Sequence, residues 1–162
     1  MLSEERNVAE TLVIVPCGQA KIWAKDPTAR AVEACDAYIG APFKVNRAYA
    51  ERFADHWLIL SAKYGLIAPD FLIPEPYNIT FKDPRTGPVA VATLREQVEE
   101  QQLGRFDPII VLGGMEYQLA ARAAFTTNSW RLHTPFAGLP IGKAMQATNR
   151  AIAAGSPLSS TR

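Results

Sequence analysis

The chain has 162 residues, of which 48% are hydrophobic and 20% charged, a composition typical of one globular domain with a sizeable core. The formal net charge of +1 provides no global field that would attract nucleic acid, although a local basic face stays open. The two cysteines, Cys17 and Cys35, form neither a disulfide framework nor a metal-ligand spacing, so we expect no metal and a cytoplasmic setting. No apolar run approaches the roughly 20 residues that span a bilayer, so no membrane partner is expected.

Short apolar runs that end in turn residues recur along the chain. They read "TLVIVPCG", "HWLILSAKYG", "DPIIVLGG" and "WRLHTPFAG", and such runs are typical of strands buried on both faces. Helical periodicity lies between and after them, over residues 42–55, 89–103, 115–125 and 141–152. Strands that alternate with helices predict an α/β protein, a three-layer α/β/α fold with a short, mainly parallel four-stranded sheet.

The chain is predicted to form a single domain. No internal repeat or linker divides it, so residues 11–154 are expected to fold as one α/β unit. The polar, acidic start over residues 1–10 does not have the pattern of a signal peptide and is expected to be flexible. Residues 155–162 are likewise expected to form a flexible tail.

The turn after the first predicted strand, "PCGQAK", is a candidate binding site, because ligands of parallel sheets bind beyond the carboxyl ends of the strands. Gly18 would let the backbone approach a ligand, and the Gln19 amide could bind a base edge. Lys21 could hold a phosphate or act as a nucleophile if it is desolvated, but it could also be a solvated surface lysine. Cys17 is either a reactive thiol or a buried, inert one.

Two further strand ends carry candidate residues. In "GGMEY", Gly113 and Gly114 come before a predicted helix N-terminus, a natural position for an anion. In "LHTPFAGLPIGKAM", His133 stands at the end of the last predicted strand and before a turn rich in Pro and Gly. His133 is therefore either a polar group that meets a substrate or a satisfied structural histidine.

The segment "SAKYGLIAPDFLIPEPYNITF" is predicted to be a long, proline-extended loop. Long ordered loops are often functional, and this one carries Lys63, Tyr64, Glu75, Tyr77 and Asn78. Carboxylates near aromatic and amide groups suit base recognition with general acid–base catalysis. The alternative is a rigid wrapping segment whose carboxylates are simply solvated.

These motifs together resemble an uncharacterised prokaryotic and phage domain family of unknown function. The residues that carry the resemblance are "PCGQAK", "AYIGAPF", "WLILSAKYGLIAPD", "PEPYNITF", "IIVLGGMEY" and "PFAGLPIGKAM". The "SAKYGL" stretch is the most specific of them, and the match extends roughly over residues 12–152. This resemblance implies a family but supplies little chemistry.

A fainter similarity links the layout to the uracil-DNA glycosylase superfamily. Gly18 and Gln19 match the start of the Gly-Gln-Asp-Pro turn of that superfamily, and His133 with Pro135 loosely matches its late His-Pro-Ser-Pro motif. The resemblance implies a uracil-DNA-glycosylase-like fold. It also implies that His133 stabilises the departing base and that Gln19 binds or polarises the base.

The sequence departs from that superfamily at the residue expected to activate water. Ala20 stands where the Asp should follow Gln19, so we take Asp36 as the first candidate for the catalytic carboxylate and Glu75 as the second. The "PCGQAK" turn also resembles the Cys-x-x-Lys turn of a lysine-bearing domain in archaeosine synthase. That resemblance implies Lys21 as a nucleophile on a deazaguanine-type base.

The predicted function is cleavage or exchange at the N-glycosidic bond of a nucleobase, by a DNA-glycosylase-like hydrolase acting on a modified base in DNA. The base would be flipped into a pocket, and Lys44, Arg47 and Arg52 could hold backbone phosphates. No cofactor is expected, the oligomeric state stays open, and defence against phage with modified DNA is a plausible setting. Two alternatives stay open: a lysine-dependent enzyme that modifies a free nucleotide or a tRNA base, and a non-catalytic nucleotide sensor.

Overall fold

The computed structural model describes residues 8–159, so residues 1–7 and 160–162, parts of both predicted flexible ends, lie outside the described residues. The strands are β1 (Leu12–Pro16), β2 (Val32–Glu33), β3 (His56–Ser61), β4 (Gly65–Ile67), β5 (Leu72–Ile73), β6 (Ile109–Val111) and β7 (Leu132–His133). The α-helices are α1 (Ile22–Lys25), α2 (Ala34–Ala37), α3 (Ala41–Phe53), α4 (Val91–Glu100), α5 (Met115–Ala124) and α6 (Ile141–Ala154). Short 3₁₀ turns cover Pro84–Thr86, Leu103–Arg105 and Thr126–Arg131.

The main sheet has five strands in the order β4-β3-β1-β6-β7. Strands β3, β1, β6 and β7 are mutually parallel, and they are the four strands that the apolar runs predict. The sequence did not predict β4, which folds back antiparallel to β3. The turn forms because the Ser61 hydroxyl accepts hydrogen bonds from the backbone N–H groups of Lys63 and Tyr64, and because Gly65 takes a φ of +78°.

Helices cover both faces of this sheet, which confirms a mixed α/β architecture. Alternate side chains of β1 enter different cores: Val13 and Val15 lie in one core, Leu12 and Ile14 in the other. Helices α3 and α6 pack against each other over the first core, and α4 and α5 over the second. All four helices begin and end within a few residues of the predicted bounds.

The sequence predicted that the proline-rich segment after β3 is a loop without secondary structure, and this prediction is wrong. It contains β4 and β5, and β5 pairs antiparallel with β2 in a separate two-stranded sheet. Backbone pairing at a distance of about 40 residues decided this, and no local sequence pattern reveals such pairing.

The described part of the predicted C-terminal tail lies against α3. The backbone N–H of Leu158 donates to the Tyr49 hydroxyl at 3.1 Å, and the Leu158 side chain packs on the first core. Between residues 8 and 159, no helix combines the length and the apolar character that crossing a membrane requires.

Candidate functional site at the carboxyl edge of the sheet

The carboxyl ends of the four parallel strands meet along one edge of the sheet, as the topology requires. The chain leaves β1 through Cys17, β3 through Ser61, β6 through Gly113 and β7 through Thr134. Two adjoining cavities open along this edge, and both contact the turn after β1.

The first cavity, which we call the lysine cavity, has a volume of about 260 Å³. It is lined by Cys17, Gly18, Gln19, Lys21, Asn78, Ile79, Thr80 and Tyr117. In the described part of the chain, no protein hydrogen bond involves the side-chain amide of Gln19 or of Asn78. Both amides are therefore available to a ligand.

Lys21 is the most unusual residue of the lysine cavity because it is only 8% exposed. Its ammonium nitrogen lies 4.4 Å from the centre of the Tyr77 ring and donates to the Gln19 carbonyl at 3.3 Å. Desolvation by burial lowers the pKa of Lys21, and the nearby Cys17 thiol opposes this only in part. No carboxylate forms an ion pair with Lys21 within residues 8–159, so burial dominates. A lysine with a lowered pKa is a candidate nucleophile.

A chain of buried hydroxyl groups lies under Lys21. The Tyr77 hydroxyl is 2.5 Å from the Tyr38 hydroxyl and 2.8 Å from Ser61 Oγ. Burial raises the pKa of both tyrosines, so the phenols keep their protons at neutral pH and cannot serve as bases. The chain holds the two rings in position as the platform on which the Lys21 amine rests.

We expect Tyr77→Phe to destabilise the protein by about 1–3 kcal/mol, because the substitution leaves two buried hydroxyls, those of Tyr38 and Ser61, without their shared partner. Tyr64→Phe is the matched control, since Tyr64 packs edge-on against Tyr77 but its hydroxyl makes no hydrogen bond with the described residues. Denaturant unfolding measures both values. Equal stability losses in the two variants would contradict the role of the hydroxyl chain.

Tyr117 fixes the turn after β1 from the opposite side. Its hydroxyl donates to the Cys17 carbonyl at 3.2 Å and lies 3.4 Å from the Cys17 sulfur. Burial raises the pKa of Tyr117, so this phenol is also protonated. The Cys17 thiol is therefore part of a packed contact as well as of the cavity wall.

The second cavity has a volume of about 420 Å³, and we call it the helix-end cavity. It shares Cys17, Gly18, Gln19, Thr80 and Tyr117 with the lysine cavity. Its remaining wall comes mainly from the first turns of α3, α5 and α6, with Phe136 after β7. The two cavities together form one two-part site.

Most of the predicted binding residues converge here. Cys17, Gly18, Gln19, Lys21 and Asn78 line the lysine cavity, and Gly113 and Gly114 line the helix-end cavity. Tyr77, Tyr64 and Lys63 stand behind the lysine cavity, with the Lys63 amine 5.7 Å from the Tyr77 ring centre.

The structure does not bring the three predicted catalytic residues to either cavity. Asp36 is exposed on α2 and pairs with Arg47 at 3.5 Å. Glu75 is exposed on the segment between β5 and Tyr77. His133 is buried in β7, where it pairs with Ile110. Each assignment stays a prediction, without geometric support at the site.

Several residues of the site were not singled out from the sequence: Tyr38, Asn46, Ser61, Thr80, Lys82, Glu116 and Tyr117. Tyr38 and Tyr117 lie within the motifs "AYIG" and "GGMEY", so the motifs already indicated these two residues as candidates for the site. Asn46 gives no local signal, because it occupies one position of an ordinary amphipathic helix.

Glu33, Cys35 and Asp36 offer potential metal-ligand atoms within 4.8 Å of one another. This group lies around α2, outside both cavities, and Arg47 already pairs with Asp36. We therefore do not include it in the candidate site.

Comparison with known proteins shows which family the chain belongs to. The model of a family of unknown function, DUF6884, matches residues 12–150. The chain belongs to this family. The predicted membership of an uncharacterised family is thus confirmed, and the DUF6884 match spans every strand and cavity described above. The uncharacterized protein YfjM of Bacillus subtilis (strain 168) is 36% identical over 144 residues, which cover 87% of this chain and 94% of YfjM. No solved structure matches the chain.

Proposed function

We propose that this DUF6884 protein cleaves or exchanges the N-glycosidic bond of a nucleobase, with Lys21 as the nucleophile and with a fold related to uracil-DNA glycosylases. The observation that carries the proposal is the buried Lys21 amine, with its lowered pKa, in the wall of a small polar cavity. None of the described residues that line that cavity is a carboxylate, which favours amine chemistry over water activated by Asp36 or Glu75.

The size and lining of the lysine cavity support a nucleobase as the bound group. Its volume of about 260 Å³ falls just below the roughly 300–1,000 Å³ of pockets for drug-sized ligands. Amide and hydroxyl groups of Gln19, Asn78 and Thr80 offer the mixture of donors and acceptors that a base edge requires. The Tyr77 ring lies under the amine and is apolar enough to keep it desolvated.

The proposed reaction begins with the neutral Lys21 amine. Its lone pair attacks C1′ of the sugar, and the glycosidic bond breaks as its electron pair leaves with the base. The nitrogen loses one proton and the base takes one up, so the charge balances. The C1′–O4′ bond then opens to an iminium ion while O4′ gains a proton. For hydrolysis, water adds to C1′ and loses a proton, the lysine nitrogen regains a proton, and the C1′–N bond breaks as the new hydroxyl becomes the aldehyde of an abasic site. For exchange, O4′ returns to C1′ with loss of its proton, and an incoming base then displaces the reprotonated lysine nitrogen from C1′.

A nucleotide in DNA would have to be extruded from the duplex to reach this cavity. Helix α3 presents Lys44 and Arg52 as exposed cations for backbone phosphates. Arg47 is less available, because it pairs with Glu51 and donates to the Cys35 carbonyl at 2.8 Å. An activity on modified DNA would suit defence against phage.

The decisive experiment incubates the protein with DNA that carries normal bases, uracil or glycosylated hydroxymethylcytosine, and measures released base and alkali-labile sites. We expect release from one modified substrate, its loss in Lys21→Arg and its retention in Asp36→Asn. Lys25→Arg is the matched control, since Lys25 is exposed on α1 and lines neither cavity.

Two outcomes would contradict the proposal. Activity that survives Lys21→Arg but disappears in Asp36→Asn would show that a carboxylate, and not the Lys21 amine, catalyses the reaction. Tight binding of the DNA or of a free nucleotide without any released base would make the protein a sensor rather than an enzyme.

A further inference from the structure

Three helix N-termini converge on the helix-end cavity. Gly40 and Pro42 at the start of α3, Gly113 and Gly114 before α5, and Ile141 at the start of α6 all line it. No side chain caps any of these helices. Their first backbone N–H groups therefore lack helix partners, and the three helix dipoles add positive potential in one place.

Asn46 provides an independent sign that this cavity holds a polar ligand. It lies one turn into α3, is 6% exposed and lines the cavity. Its side-chain amide makes no hydrogen bond with the described residues. The Asn46 amide is not among the fully enclosed polar atoms of the described residues, so it is reached from the cavity, and its hydrogen-bond partner there is water or a ligand.

The charged residues that line the helix-end cavity are one lysine and one glutamate, which carry opposite charges. Lys82 lines it from the segment that covers the site, and Glu116 lines it from the first turn of α5. A carboxylate there opposes an anion, whereas the lysine and the helix ends favour one. The Glu116 charge thus provides a test of sign: its removal should strengthen the binding of an anion and weaken that of a cation.

We propose that the helix-end cavity binds a phosphate group of the nucleotide substrate, with Asn46 as a phosphate ligand. The cavity adjoins the lysine cavity through five shared residues, so one nucleotide can place its base beside Lys21 and its phosphate at the helix ends. The assignment of the base to the lysine cavity rests on the proposed function, whereas the phosphate site stands on its own geometry. A phosphodiester of DNA and a phosphate monoester offer the same oxygens.

The test measures the binding of inorganic phosphate and of ribose 5-phosphate by calorimetry and by amide chemical shifts. We expect shifts in the first turns of α3, α5 and α6, and an affinity about tenfold weaker or worse in Asn46→Leu, from the loss of a hydrogen bond to a charged group. Lys82→Gln should weaken binding, and Glu116→Gln should strengthen it a few-fold. Lys25→Gln, remote from both cavities, should leave the affinity unchanged.

The thermal midpoint separates a binding role of Asn46 from a structural one. Because its amide is unpaired, Asn46→Leu should leave the midpoint unchanged or raise it by a few degrees. Asn46→Asp, which keeps the shape and adds a negative charge, should abolish phosphate binding. A lowered midpoint in Asn46→Leu with full phosphate affinity would overturn the proposal, as would the absence of phosphate binding to the wild type.

The outcome is separable from that of the proposed function. Asn46-dependent phosphate binding without base release would support the phosphate site and refute the glycosidic activity. Base release that depends on Lys21, with no effect of phosphate or of Asn46→Leu, would do the reverse. Competition of a short DNA strand and of a nucleoside monophosphate against inorganic phosphate identifies the diester or the monoester as the natural ligand.

Discussion

Lys21→Met is expected to lower the rate of glycosidic bond cleavage by roughly a thousandfold or more, because it removes the nucleophile and keeps the shape of the side chain. Treatment with borohydride during turnover should trap the wild type as a covalent adduct on Lys21, whereas Lys21→Met should give none. Methionine in place of a buried amine should leave the thermal midpoint unchanged or higher, so the loss would not reflect unfolding.

The pH dependence follows from the lowered pKa of Lys21. The rate constant kcat/KM should rise with pH as the amine loses its proton, and it should reach its plateau at a pH below the ordinary pKa of lysine. The free energy of unfolding depends on pH in the same direction as kcat/KM. Between the lowered pKa in the folded state and the ordinary pKa in the unfolded state, the unfolded chain binds more protons, so the free energy of unfolding rises with pH. Lys21→Met should abolish this slope.

An adduct that maps to Lys63 would contradict this assignment, as would full activity of Lys21→Met. Lys63 is the appropriate comparison because its amine lies 5.7 Å from the same Tyr77 ring but lines neither cavity. Lys63→Met should therefore retain most of the activity.

Gly113→Ala is expected to destabilise the protein by about 2–3 kcal/mol, through strain and close contact together. Gly113 has a φ of +121°, and an added Cβ would lie 3.0 Å from Pro16 Cγ and 3.2 Å from Tyr117 Cβ. The thermal midpoint should fall by roughly 5–10 °C. Activity should fall as well, because Pro16 and Tyr117 hold the turn that carries Lys21.

Gly18→Ala is the control for Gly113→Ala. Apart from the two chain neighbours, no atom of residues 8–159 lies within 4 Å of the added Cβ at Gly18, so the stability of this variant should stay within about 0.5 kcal/mol of the wild type. Equal losses in the two variants, measured by denaturant unfolding, would show that the turn after β6 is not the constrained one.

The sequence predicted the parallel core because its signals are local. Each of the four buried strands is a short apolar run, and the helices between them have clear 3.6-residue periodicity. The rule that ligands bind at the carboxyl ends of parallel strands then led to Gly18, Gln19 and Lys21, and the rule that long ordered loops are often functional led to Asn78. All four line one cavity.

The catalytic carboxylate could not be placed in the same way. Asp36 is close to the Tyr38 motif in sequence, but the α2 turn directs it to solvent and to Arg47, whereas Tyr38 enters the core. Two positions separate Asp36 on the short helix α2 from Tyr38, the extended residue that ends it, and this reverses the exposure. No local pattern fixes which residue points inward.

The sequence by itself determined the four parallel strands, the helices α3 to α6 and the family, because hydrophobic period and motif are properties of neighbouring residues. Only the tertiary structure decided which polar groups share a cavity. Burial of the Lys21 amine over Tyr77 depends on a segment 56 positions away, and the three helix ends around Asn46 come from distant parts of the chain. Desolvation and summed dipoles are properties of that assembled space, so they arise only when the chain is folded.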